Sequence, residues 1–228
     1  MKKRHTAGPG SLSAQIATFA HGRVPRALRR QQVLEHAYEL FVERGYHGAS
    51  MDELARRVGV TKPVIYELVG SKEQLFRELA AGIQAELAAS VTAAFATERE
   101  LAGRLHAGIL AFLQFAQRRS RGWAALLSME AGGGEVTAML RQEPLALVAA
   151  LLGEGARSAG ASVDARTLEI LAQAINGAVE FVALWWQTHP DVSAESLAAL
   201  LQGLLAPGLA AIVEPRGPAR PRARRRST

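Results

Sequence analysis

The stretch SMDELARRVGVTKPVIYELV, residues 50–69, decides the fold of this chain of 228 residues. Ser50 and Thr61 each stand where a short helix can begin, and Gly59 stands between the two segments. Two short helices that cross at a steep angle need glycine where the chain turns through positive φ. Apolar residues recur at helical spacing in both segments, which indicates packing against a third helix. The stretch therefore predicts a helix-turn-helix.

Flanking signals extend this motif into a small domain. Residues 26–44 carry their apolar side chains on one helical face, and Gly45 is expected to end that helix. Ser50 with Glu53, and Ser71 with Gln74, have the spacing of capping boxes. We therefore predict a three-helix domain over residues 26–72, with the helix-turn-helix at about 50–69 and helices at about 51–58 and 61–69.

The remainder of the chain is also predicted to be helical, because no alternating strand pattern persists in it. Glycine runs and His189-Pro190 divide it. Pro207 is expected to kink or shorten the last helix. The predicted helices cover about 71–95, 98–118, 121–130, 137–158, 164–188 and 194–213. The fold class is thus all-α, with a larger helical domain over 73–213.

Basic residues are concentrated at the two ends of the chain. The net charge is +6, yet residues 31–215 hold 14 basic side chains against all 21 acidic ones. Residues 1–25 are predicted to be a flexible basic extension, and residues 214–228, rich in Pro and Arg, a disordered tail. The tail fits either solvated charge for solubility or a non-specific arm that contacts phosphates.

Several function classes are not expected from this composition. The chain has no Cys, which excludes disulfides and thiolate chemistry, and its six His are scattered. No catalytic or phosphate-binding motif is present, so we expect no enzyme activity, no metal and no cofactor. No apolar run of about 18 residues lacks charged or polar breaks, so no membrane span is predicted. A polar N-terminus argues against a signal peptide, so a cytoplasmic protein is expected.

The segment from Arg30 to about Leu79 resembles the DNA-binding domain of the TetR family of transcriptional regulators. The matching elements are ELFVERGYHGAS, MDELARRVGV, TKPVIY and GSKEQLF. The resemblance implies that the start of the third helix lies in the major groove, with Lys62 donating to a guanine edge. It further implies phosphate contacts by Ser50, Tyr66 and Lys72. The implied DNA-binding residues are Ser50, Thr61, Lys62, Pro63, Val64, Tyr66 and Lys72.

The sequence departs from the family pattern after Tyr66, where Glu67, Leu68 and Val69 replace the aromatic or basic residues common there. Glu67 would repel a phosphate or accept from a cytosine amino group. Alternatively, Glu67 is a solvated charge that points away from DNA.

The larger domain has no motif of its own, and the resemblance implies that it binds a small molecule and forms dimers. The candidate ligand-binding residues are Phe112, Phe115, Trp123, Met129, Asn176 and Glu180. For each single aromatic or Met residue, a place in the core is the simpler explanation. Asn176 and Glu180 are alternatively explained as a pair across a dimer interface. The candidate dimer residues are Gly177, Trp185, Leu197, Leu201 and Leu204. Trp185 and Trp186 are adjacent, so they cannot both face the same way.

The resemblance as a whole implies a homodimeric transcriptional regulator, specifically a repressor of a palindromic double-stranded DNA operator that responds to a largely apolar small molecule. Two alternatives remain from other classes. One is an architectural DNA-binding protein with little sequence preference. The other is a helical ligand-binding or scaffold protein that does not bind DNA.

Overall fold

The computed structural model describes residues 12–19, 24–119 and 135–213, and the regular secondary structure of these residues is helical throughout. The helices are α1 Leu12–Ala17, α2 Arg26–Gly48, α3 Met51–Val58, α4 Lys62–Val69, α5 Lys72–Ala96, α6 Leu101–Arg118, α7 Glu135–Ser158, α8 Ala165–Trp186 and α9 Ala194–Val213. The helix predicted at 121–130 and the tail at 214–228 lie outside the described residues.

The observed bounds agree with the predicted helices to within a few residues, with two differences. Gly45 has φ 67° and ψ 172°, so it interrupts α2, although one further turn follows it to Gly48. Pro207 does not shorten α9, which continues to Val213. Leu209 lies after the proline and is buried in the core, so packing holds this end of the helix in place.

The chain forms two compact units, and the division between them falls inside α5. The first contains the described residues up to Ala85, together with Arg119 and residues 135–140. The second contains Glu86–Arg118 and the described residues from Arg141 onward. The division in α5 lies later than the boundary predicted at 72–73. Both α5 and α7 contribute residues to each unit.

The core of the first unit is formed where α2, α3 and α4 meet. The face of α2 predicted from spacing is buried, and it packs with apolar residues of the two following helices. Phe41 of α2 also contacts Phe76 of α5 edge to face, with 5.2 Å between the ring centroids. The buried residues are Val33, Ala37, Leu40, Phe41, Leu54, Val58, Ile65, Leu75 and Phe76.

The core of the second unit is formed by α6, α8 and α9, with part of α7. Its buried side chains are mostly Leu, Ile, Val and Ala. Trp186 is the aromatic member, and its indole Nε1–H donates to the carbonyl oxygen of Val192 at 2.6 Å. This bond fixes the loop that joins α8 to α9.

Among the described residues, three helices are long and apolar enough to cross a membrane by length and composition alone, namely α5, α8 and α9. This finding concerns length and composition only, and it does not contradict the prediction that no segment spans a membrane. In α8 and α9, however, one face carries core residues such as Val179 and Leu201. Packing within the chain therefore explains part of the high apolar content of α8 and α9.

Candidate nucleic-acid interface

The turn between α3 and α4 depends on Gly59. This residue has φ 75° and ψ 36°, the left-handed conformation that glycine adopts without a steric cost. Its N–H donates to the carbonyl oxygen of Ala55 at 2.9 Å, and the N–H of Val60 donates to the same oxygen at 3.0 Å. The prediction that glycine permits the turn is confirmed.

The first capping box is only half formed. Ser50 Oγ accepts from the N–H of Glu53 at 3.1 Å, as predicted. The Glu53 carboxylate instead accepts from Arg57 at 2.7 Å, and Arg57 also donates to Glu43 of α2 at 2.7 Å. These two carboxylates raise the pKa of Arg57, and the hydrogen bond from Arg57 lowers the pKa of Glu53. Arg57 thereby ties α3 to α2.

Thr61 stands at the N-cap of α4, but its side chain makes no capping hydrogen bond. The helix therefore begins where the sequence predicts, with Thr61 at the N-cap position but without a side-chain cap. Pro63 removes one of the two backbone N–H groups that a cap side chain can bond, because proline supplies none at the second position of the helix. Ser71 and Gln74, in contrast, form the full reciprocal box at the start of α5, with bonds of 3.1 and 2.8 Å.

The residues predicted to contact DNA are largely accessible at the surface. Ser50, Thr61, Lys62 and Pro63 are exposed, and Val64 and Lys72 are half-buried. Tyr66 is 44% exposed, while Ile65 beside it is completely buried. One side of α4 therefore packs on the domain and the other faces outward, which is the arrangement that a recognition helix requires.

Lys62 pairs with Asp52, a residue that the sequence reasoning did not single out. Lys62 Nζ lies 3.0 Å from Oδ2 of Asp52, so the bond joins the first turn of α3 to that of α4. The hydrogen bond to Asp52 raises the pKa of Lys62. An acidic residue in the first turn of a helix is common and gives no signal of such a partner.

Glu67 is held by Arg26 at the start of α2. Arg26 Nη1 donates to the Glu67 carboxylate at 3.0 Å, and Nη2 donates to the Glu67 carbonyl oxygen at 3.0 Å. Glu67 is therefore a largely exposed charge with an opposite charge beside it. The neighbouring Arg30 is paired in the same way with Glu78 of α5, at 2.6 Å.

Lys72 lies over the ring of Tyr46, with Nζ 4.5 Å from the ring centroid. Burial lowers the pKa of Lys72. Burial also raises the pKa of Tyr46, with a further contribution from the charge of Glu73. Tyr46 itself packs against Phe41 and Phe76, so the aromatic cluster positions Lys72 at the start of α5.

The candidate ligand residues that the structure describes lie on α6 and α8. Phe115 is fully buried and Phe112 is partly buried against the second core. Asn176 and Glu180 are half-buried on α8. Trp123 and Met129 lie outside the described residues. Among the described residues, no group of three His, Asp or Glu side chains is placed to hold a metal ion.

The candidate dimer residues fall into two groups. Leu197 and Leu201 are each 5% exposed and belong to the core of their own chain, so their placement on a free surface is wrong. Trp185 and Leu204 are exposed, while Trp186 is buried. A Cβ added at Gly177 would meet no atom within 4 Å.

Exposed apolar residues recur at helical spacing on α8 and α9, and we call this surface the apolar face. On α9 the exposed large apolar residues are Leu200, Leu204 and Ile212. Each follows a buried core leucine by three positions, which is a rotation of about 60° around the helix axis, so the apolar face lies beside the core face. The Trp185 ring also stacks on His189, with 4.0 Å between the centroids. The apolar face comprises Ile170, Phe181, Leu184, Trp185, Leu200, Leu204 and Ile212.

Comparisons with known proteins match both parts of the chain. The family profile "Bacterial regulatory proteins, tetR family" matches residues 33–79, and "Tetracyclin repressor-like, C-terminal domain" matches residues 101–207. The HTH-type transcriptional activator FasR of Mycolicibacterium smegmatis is 42% identical over 101 residues, which are 44% of this chain and 46% of that protein. The chain thus matches less than half the length of this curated relative.

Solved structures with the same fold cover more of the chain. A TetR-like transcriptional regulator from Rhodococcus sp. RHA1 is 28% identical with a TM-score of 0.62, covering 82% of this chain and 99% of that one. The transcriptional regulator FadR from Bacillus subtilis, solved in complex with stearoyl-CoA, is 18% identical with a TM-score of 0.64. That match covers 78% of this chain and 98% of FadR.

Proposed function

This chain belongs to the TetR family of bacterial regulatory proteins, and we propose that it is a sequence-specific DNA-binding transcriptional regulator. The observation that carries the proposal is the helix-turn-helix itself. Its turn is made by a left-handed Gly59, its buried side is anchored by Ile65, and its outward side presents Lys62 and Tyr66. In this arrangement Lys62 reads a guanine edge, and Tyr66 fixes the register on the phosphate backbone.

The charge of the domain supports binding by two copies. Residues 26–72 carry eight basic and six acidic side chains, and Arg26, Arg57 and Lys62 are paired with carboxylates. One domain therefore offers few cations to phosphates, and phosphate contacts supply most of non-specific affinity. We propose that a homodimer places two domains on a palindromic operator.

The apolar face is the surface that we propose for dimer formation. Its side chains include Phe181, Leu200 and Leu204, each more than 70% exposed in the single chain. Exposing several large apolar side chains to water is unfavourable, and large exposed apolar patches are often sites where a partner binds. A second copy would bring two α8–α9 pairs together as a four-helix bundle around a twofold axis.

We propose that the second unit binds a largely apolar small molecule, and that the protein acts as a repressor released from DNA by it. An effector changes DNA binding only through unequal affinity for the two conformations. Stearoyl-CoA, which is bound by the neighbour FadR, is the first compound to add to the DNA-binding assay. Loss of operator binding on its addition would support the effector class.

Selection of fragments from a random pool of duplex DNA tests the proposal. The purified protein is expected to enrich an inverted repeat at physiological salt. Lys62→Ala should change the preferred sequence at one position of each half-site, because it removes a base contact. Tyr66→Phe is the matched variant, and it should weaken binding to all sequences alike.

An unenriched pool, with binding that collapses as salt rises, would contradict the proposal and favour an architectural DNA-binding protein. No binding at any salt would favour a ligand-binding or scaffold protein. Under the proposed function the protein works beside DNA in the cytoplasm, as a regulator and not as an enzyme.

A further inference from the structure

We propose that Asp52 is a positioning residue that sharpens sequence selectivity by holding Lys62 away from phosphates. This inference rests on the proposed function. Asp52 is the second residue of α3 and Lys62 is the first residue of α4. The 3.0 Å bond between them therefore crosses the helix-turn-helix at the end of α4 that we assign to the major groove.

The position of the pair argues against a role limited to folding. The side chains of Lys62 and Asp52 are 47% and 65% exposed, and ion pairs this exposed add little to the stability of the folded state. The link between α2 and α3 is already made by Arg57, which is much less exposed. The Lys62–Asp52 pair thus lies where it acts on DNA and contributes little to the core.

The chemistry of a lysine ammonium explains the effect. Lysine is a point charge on a flexible stem of four carbons, so an unpaired lysine turns readily to whichever phosphate is nearest. A phosphate contact is the same in every sequence, whereas a contact with guanine O6 or N7 is not. A carboxylate that holds the ammonium removes the phosphate contact on every duplex, whatever its sequence.

The base contact survives this pairing. An ammonium has three donors, and the Asp52 carboxylate uses one of them. Two donors remain for the O6 and N7 acceptors of a guanine. The negative charge of Asp52 also repels phosphates close to it, and on the preferred sequence the base contact offsets that cost. On any other duplex, the Asp52 carboxylate still repels the phosphates but Lys62 makes no base contact. This difference between duplexes is the source of the selectivity.

Asp52→Asn tests the inference on two probes, the duplex that the wild-type protein selects from a random pool and a scrambled duplex of the same length. We expect affinity for the scrambled duplex to rise by roughly three- to ten-fold, and affinity for the selected duplex to rise less. The salt dependence on the scrambled duplex should steepen by about 0.9 in logarithmic slope for each additional phosphate that the variant neutralises.

Three further variants separate a positioning role from a simple loss of charge. The selectivity ratio is the affinity for the selected duplex divided by the affinity for the scrambled duplex. Asp52→Glu keeps the carboxylate and should retain the wild-type value of this ratio. Glu35→Gln removes one negative charge from an exposed position of α2 and should leave the ratio unchanged. In a Lys62→Ala background, Asp52→Asn should lose most of its effect on the ratio, because the two residues act as a pair.

Two results would overturn the inference while leaving the proposed function in place. In the first, the wild-type protein selects a duplex, but Asp52→Asn leaves the selectivity ratio unchanged. In the second, Asp52→Asn changes the selectivity ratio by the same amount in the wild-type and Lys62→Ala backgrounds, which would mean that Asp52 acts only through its charge. A wild-type protein that selects no duplex would instead refute the proposed function, and the inference with it.

Discussion

Single residues at helix ends set much of the local geometry of this protein, and Asp164 is the clearest case. At the start of α8, its Oδ1 accepts from the N–H of Thr167 at 3.0 Å, and its Oδ2 accepts from the Thr167 hydroxyl at 2.7 Å. These hydrogen bonds, with the one from the side chain contributing most, lower the pKa of Asp164 below its ordinary value of 3.8. The ionised carboxylate is thus the form that stabilises α8.

This shift predicts how the stability conferred by Asp164 depends on pH. Because the pKa is lower in the folded state, the stabilisation is complete above the ordinary pKa and is lost as the pH falls through the folded value. Asp164→Ala should therefore lower the Tm at pH 7, and the difference from wild type should shrink as the pH falls below 3.8. Thermal unfolding followed by circular dichroism at a series of pH values measures this.

Asp164→Asn serves as the control, because an amide oxygen still accepts from the N–H of Thr167 but carries no charge. It should retain most of the Tm at neutral pH. A Tm difference between wild type and Asp164→Ala that stays constant from pH 7 to pH 3 would contradict the assignment.

Pairs of residues far apart in sequence were the least predictable part of the site. Arg26 and Glu67 are 41 positions apart, and their contact depends on where the start of α2 lies relative to α4. Lys62 and Asp52 meet because Gly59 folds two helix starts together. Local sequence signals specify each helix but not the approach of one helix to another, so such ion pairs were missed.

At the scale of helices and turns, capping and glycine positions allowed most of the bounds to be predicted. The Ser71–Gln74 box marks the start of α5 because both of its bonds are local in sequence. Apolar spacing was less informative on α9, where Leu197 and Leu200 look alike. Both sides of this helix are apolar, so periodicity alone does not show which one packs in the core.

Two glycines predict opposite effects of the same substitution. Gly59→Ala should destabilise the protein by about 1 kcal/mol, because alanine is strained at φ 75°. Gly82→Ala should stabilise it by about 0.5–1 kcal/mol, because Gly82 lies inside α5 and alanine is favoured in a helix. A Cβ at either position meets no atom within 4 Å, so steric clashes do not confuse the comparison.

Unfolding in urea measures both variants, and each serves as the control for the other. A stabilising Gly59→Ala would show that the turn does not need the left-handed conformation. The DNA selectivity of Gly82→Ala should equal that of the wild type, whereas a Gly59→Ala domain should bind the selected duplex less tightly.

At the scale of the whole molecule, the apolar face is a feature of the described residues that the single chain leaves unexplained. The same two helices carry the core on one side and exposed residues such as Phe181 and Leu204 on the other. Because both sides of α8 and α9 are apolar, their composition resembles that of a membrane-spanning helix. A soluble helix with one solvated side would carry more charged residues. A second copy packed on the apolar face would explain why α8 and α9 are apolar on both sides.

Substitutions on the apolar face test this arrangement. Phe181→Glu or Leu204→Glu should convert a dimer into a monomer, because a carboxylate in a buried apolar interface is strongly unfavourable. Light scattering coupled to size-exclusion chromatography measures the mass. The monomer should bind the selected inverted repeat at least about ten-fold more weakly, since it engages one half-site at a time.

Ala150→Glu, at an exposed position of α7 outside the apolar face, is the matched control and should remain dimeric. A wild-type protein that is monomeric at micromolar concentration would refute the dimer. A Phe181→Glu variant that stays dimeric would place the interface elsewhere on the chain.

The adjacent tryptophans on α8 provide an intrinsic optical reporter of these events. Trp186 is buried and hydrogen-bonded, so its emission follows the integrity of the second core. Trp185 is about half exposed on the apolar face and lies flat against His189. A soluble quencher therefore reaches Trp185 before Trp186, and a partner seated on that face would shield it. The chain has a third tryptophan, Trp123, so the measurement uses a Trp123→Phe background. In that background, tryptophan emission distinguishes assembly from unfolding without any attached dye.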